Sequence, residues 1–135
     1  MGRSGFDLDW KRIANALSAL MQRSNDDNFV IFFDRETQKF VQFTYSEKGG
    51  IFLDLPEQPL DGPAMVRATA YFMQYDISPE TYEVYTDLTK TVPAGMHTSF
   101  NMDLRRDVQR ATRIVFDVFE EIYLLPDFEL IIKEN

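Results

Sequence analysis

The chain has 135 residues, 44% of them hydrophobic and 14% aromatic, with 14 Lys and Arg against 22 Asp and Glu for a formal net charge of −8. This length supports one domain with a packed core in which aromatic rings fill much of the volume, and the acidic balance excludes nonspecific binding to nucleic-acid phosphates. The absence of cysteine removes disulfides, thiol nucleophiles and cysteine-ligated metal sites together.

Residues 1–8 read as a flexible leader without the apolar core of a signal peptide. No run approaches the roughly 20 apolar residues of a membrane span, so a cytoplasmic protein with no membrane partner is expected. Residues 9–135 read as a single domain. Asp9 is placed as an N-cap, and Trp10, Ile13, Ala14, Leu17, Leu20 and Met21 then recur at helical spacing as far as about Ser24. The short polar run Ser24 to Asn28 stops this helix. Asp26 and Asp27 carry oxygens that a cation could use, but the helix-to-strand turn accounts for the pair and no metal site is assigned.

Three aromatic-rich runs follow, Phe29 to Phe33, Phe40 to Tyr45 and Ile51 to Leu55, separated by turn-length breaks. They predict an antiparallel meander, with Gly49-Gly50 supplying the positive backbone angles of a tight hairpin. Period two places Val41, Phe43, Tyr45, Ile51, Leu53 and Leu55 on a core face and Phe40, Gln42, Thr44, Phe52 and Asp54 on the other. The first run has no alternation, so either parity adds apolar side chains to that second face. A sheet covered by helices on one side should be polar on the other; this one carries phenylalanines.

Pro56, Pro59, Gly62 and Pro63 break regular structure until Pro63 opens a second helix, in which Met65, Ala68, Thr69 and Phe72 share a side. Thr81 to Asp87 reads as a fourth strand, Thr89 to Gly95 as a turn and Met96 to Met102 as a weaker fifth strand. Asn101 or Asp103 then caps a long helix with Leu104, Val108, Ala111, Val115, Val118, Phe119 and Ile122 on one face. Opposite lie Arg106, Arg110 and Arg113, read as a solvated face with Arg113 paired to Asp117. After Pro126, Phe128 to Ile132 reads as a sixth strand or an extended arm that could meet this helix or cover the open sheet face. The predicted class is α+β: an antiparallel sheet of five to six strands with helices on one face, in the order α-β-β-β-α-β-β-α plus a C-terminal extended tail.

No catalytic constellation stands out. His97 and Ser99 point the same way in a strand, but neither an acid nor an oxyanion donor accompanies them. No nucleophile with a base, metal set or cofactor loop is assigned, and a nonenzymatic protein is expected.

Lys39-Phe40-Val41-Gln42-Phe43, together with Val115-Phe116-Asp117-Val118-Phe119 and Ile122-Tyr123, resembles the type III secretion chaperone-like superfamily, closest to its YbjN-type and actinobacterial peptide-binding domains. The resemblance spans about Asp9 to Tyr123. It implies a nonenzymatic domain, often homodimeric, that binds extended polypeptide segments along an apolar surface. The tail from Pro126 is not part of that pattern. On this reading Phe32, Phe40, Gln42 and Phe52 form the partner-binding surface; the alternative is a structural homodimer whose subunit contact is the same face.

Overall fold

The structure, a computed structural model, describes residues 5–23, 28–46, 49–85 and 93–135. Asp26-Asp27, the end of the strand expected over Thr81 to Asp87 and residues 89–92 of the turn expected over Thr89 to Gly95 lie outside the described residues. The elements are α1 (Phe6–Arg23), β1 (Phe29–Asp34), β2 (Phe40–Ser46), β3 (Gly50–Pro56), α2 (Gly62–Met73), β4 (Glu80–Tyr85), β5 (Pro93–Arg105), α3 (Val108–Asp117) and β6 (Leu130–Glu134). All six strands form one sheet in the order β4-β5-β3-β2-β1-β6, with every described pairing antiparallel. The α+β class and the predicted element order hold. Among the described residues, no helix is long and apolar enough to cross a membrane.

The core lies between the helices and one face of the sheet. Val30 and Phe32 of β1, Val41 and Phe43 of β2, and Ile51, Leu53 and Leu55 of β3 are fully buried there, with Ile13, Leu17 and Leu20 of α1 and Phe72 of α2. Helix α1 begins three residues before its expected cap, because Phe6 packs on Phe116 at 4.6 Å and draws the first turn out of the leader. Asp9 therefore sits inside the helix, where it pairs with Arg12 at 3.2 Å. Helix α2 starts where Pro63 was expected to open it, with Pro63 in the first turn, where a missing N–H costs nothing; its cap is Asp61, whose carboxylate accepts from Ala64 N at 2.8 Å.

The last helix starts later than its periodicity suggested. β5 runs on to Arg105, so Leu104 is a buried strand residue and neither Asn101 nor Asp103 is the cap; Asp107 is, accepting from Arg110 N at 3.0 Å. Sheet pairing with β3 won over a helical stripe that Leu104 happened to fit. Beyond Asp117 the helix widens into one π-type turn, Val118–Ile122. Ile114 and Phe116 are buried beside the predicted stripe, because this helix meets α1 on one flank and the tail on the other. Phe128 stacks on Phe119 at 4.4 Å and meets Phe116 edge-on at 5.7 Å. Arg113 takes a different partner from the expected Asp117, lying over the Trp10 ring at 5.1 Å, and Arg106 donates to Gly49 O at 2.8 Å.

Gly49 has a positive φ of 88°, as the hairpin requires, whereas Gly50 is needed for space. A Cβ there would lie 1.9 Å from Arg105 O, beside the bulge at which β5 carries the extra residue Leu104 between its pairs to Phe52 and Ile51.

Candidate functional site

The tail decides which face of the sheet stays open. It neither lies loose nor covers the sheet; β6 adds to the edge of β1, with Phe33 opposite Ile131 and Ile31 opposite Lys133. Asp34 anchors this arrangement. Its carboxylate accepts from Thr37 N, Thr37 Oγ1 and Glu129 N, tying the β1–β2 turn to the start of β6. Burial by itself would raise the Asp34 pKa, but these donors and the Glu36 N–H together hold it below the ordinary carboxylate value.

The strand register settles the parity that the first run left open. Val30, Phe32 and Asp34 face the helices, so Phe29, Ile31 and Phe33 share the opposite face with Phe40, Gln42 and Thr44, their partners in β2. Phe32 is thus not a surface residue: it is fully buried and meets Phe43 edge-to-face at 5.9 Å. Phe40 and Gln42 do lie on the open face. They line a depression of 260 Å³ with Ile31, Phe33, Gln38 and Lys133. Phe52 lies on the same face one strand further on, between Thr44 and Asp103, and does not line it.

The depression's aromatic rings, Phe33 and Phe40, are half-buried. Its polar rim is partly committed. Gln42 Nε2 donates to Asp54 Oδ2 at 2.7 Å and Gln38 Nε2 to Arg35 O at 2.7 Å, which leaves the amide carbonyls, the second N–H of each amide and the Lys133 ammonium for a ligand. Across the sheet the character changes. Gln42, Asp54 and Asn101 form a polar row over β2, β3 and β5, and Asn101 Nδ2 donates to buried Ser99 Oγ at 3.0 Å.

Ser99 Oγ is therefore engaged by an amide and not by His97, whose Nδ1 lies 2.9 Å from Gln58 Nε2 and whose ring lies 5.3 Å from that of Tyr82. On the helix side, the Tyr71 hydroxyl donates to Asp117 Oδ2 at 2.6 Å; burial and then Asp117 push that phenol's pKa far up, so it stays a neutral donor. Tyr123, also raised by burial, donates to Phe40 O from the core side and holds β2 against the π-type turn. Among the described residues, no three His, Asp or Glu side chains converge as metal ligands.

Ile31, Phe33, Gln38 and Lys133 were missed by sequence reasoning. The signal for Phe33 was its register opposite Phe40, which a two-residue shift in the turn would have changed; Lys133 belonged to a tail with no assigned partner strand. Comparison of the chain with protein-family models, with curated proteins and with solved structures gives no match.

Proposed function

We propose that this chain is a small nonenzymatic polypeptide-binding domain of the chaperone-like kind, and that an extended segment is held on the open face over β6, β1 and β2. The observation that supports this is the depression built from Ile31, Phe33 and Phe40 with Lys133 and two amides at its rim. Apolar walls with a few convergent polar groups are the usual make-up of a binding site, and a peptide side chain of phenylalanine size suits a hollow of 260 Å³. The resemblance of Lys39 to Phe43 to the type III secretion chaperone-like strand supports the same reading, since Phe40 and Gln42 from that strand line the hollow.

The test uses a fluorescently labelled, reduced and carboxymethylated polypeptide that cannot fold, titrated with the wild-type chain and with a Phe33→Glu, Phe40→Glu variant of native circular dichroism. Saturable binding by the wild type, weakened about tenfold or more in the variant, is expected. Equal binding by both, or none by the wild type, removes this face as the site.

A further inference from the structure

The outer edge of β6 has a defined hydrogen-bonding capacity. Arg35 N donates to Glu129 O at 3.0 Å and Asn135 N to Phe29 O at 3.1 Å. With the register Ile31 to Lys133 and Phe33 to Ile131, the odd-numbered residues of β6 therefore turn their backbone groups towards β1. The even-numbered residues Leu130, Ile132 and Glu134 turn theirs outward. Arg12 of α1 takes up one of these outward groups, donating to Leu130 O at 3.4 Å while also pairing with Asp9. Beside the edge runs a groove of 380 Å³ lined by Arg12, Asn15, Ala16, Ala19, Ile132 and Glu134. Ala16 and Ala19 form the low part of its helix wall, between the longer side chains of Arg12 and Asn15.

We propose that this edge pairs antiparallel with β6 of a second copy of the chain, about a two-fold axis through Ile132. A two-fold contact must be self-complementary, and this edge is. Centring on Ile132 sets Ile132 against its symmetry mate and Leu130 against Glu134 of the other copy; the Leu130 carbonyl, which already accepts from Arg12, keeps a second lone pair for the Glu134 N–H of that copy. Because Arg12 lies at the Leu130 carbonyl, the same symmetry sets Arg12 of each copy opposite Glu134 of the other, twice over. Glu134 is free to answer, since it is half-exposed and only loosely paired with Arg23 at 3.7 Å. A register moved by two residues either way separates Arg12 from Glu134. The charge pattern therefore selects both a second copy as partner and one register.

The contact is independent of the polypeptide-binding reading and has a consequence for it. Two sheets become one of twelve strands, with the β1 strands about 14 Å apart at a strand spacing of about 4.8 Å. The two depressions, each bordered by its own Lys133, then lie on one continuous face.

Sedimentation equilibrium of the full chain over a concentration series tests this. The wild type is expected to be dimeric. Arg12→Glu alone and Glu134→Arg alone place like charges opposite each other at both contacts and should each weaken the dimer about tenfold or more. An equimolar mixture of the two variants should restore it, because each cross-contact is again of opposite sign. Ile132→Pro removes an outward N–H that no internal bond uses and should give a monomer of native circular dichroism. If Arg12→Glu fails to fold for want of its Leu130 contact, Glu134→Arg and Ile132→Pro decide. A wild type that is monomeric throughout, or a dimer that survives both of those changes, overturns the proposal. So does a dimer broken only by Phe33→Glu, which would place the contact on the open face.

Discussion

Phe32 and Phe33 are consecutive residues of one strand, identical in chemistry and opposite in fate. Phe32 is fully buried and packs edge-to-face on Phe43, whereas Phe33 is half-buried on the other side of the sheet, opposite Phe40 and beside the tail. The pleat separates them, and the helices choose which one becomes core. A run of apolar residues in a strand thus specifies two surfaces, only one of which stability requires.

Removing a ring from each side should expose this difference. Phe43→Ala deletes a fully buried ring between α1 and the sheet and is expected to cost about 3–5 kcal/mol in chemical denaturation. Phe33→Ala should cost less, about 1–2 kcal/mol, since part of that ring's surface is already open to water. Equal losses would mean that the open face is part of the folding core and not a surface kept for a partner.

Asp34 sharpens the comparison because it follows Phe32 on the core side of β1 yet carries a charge. Its folded-state pKa is depressed, so its contribution is complete above the unfolded carboxylate value of about 4 and is lost as pH falls through the lower folded value. Asp34→Asn is expected to cost about 2 kcal/mol at neutral pH. The gap from wild type should close in acid; a gap that stays constant with pH would mean that shape, and not charge, holds the β6 junction.

The smallest effect belongs to the outer side of the helix layer. The Glu121 pKa is raised by partial burial and then by Asp117 and Glu120, so its charged form opposes folding and stability falls as pH rises through the folded value. Glu121→Gln should raise the melting temperature slightly at pH 7 and leave it unchanged below about pH 4. A loss of stability would mean that the carboxylate has a favourable partner near the π-type turn.

Much of the architecture was legible in the chain. Alternation in Val41-Gln42-Phe43 and Ile51-Phe52-Leu53 placed both strands and their core side, and Pro63 marked the start of α2. Leu104 misled, because a residue that is apolar at helical spacing can also face inward from a strand, and only the β3 pairing distinguishes the two. Phe32 misled for a related reason: Phe29-Val30-Ile31-Phe32-Phe33 has no polar residue to fix its parity, so this strand's share of the candidate surface could be read either way.

Local periodicity and turn chemistry, which act over a few residues, determined by themselves the class, the meander, the three helices and the presence of Phe40 and Gln42 on an open face. Contacts between residues far apart in the chain decided the rest. The Asp34 carboxylate accepting from Glu129 N seats the tail as β6, and Arg12 reaching Leu130 O closes part of its edge. Lys133 comes to border Phe33 and Phe40 only through that pairing. A strand's own sequence states which residues alternate, but its neighbour in the sheet, and whichever helix covers one side, are chosen by the free energy of the whole packed core.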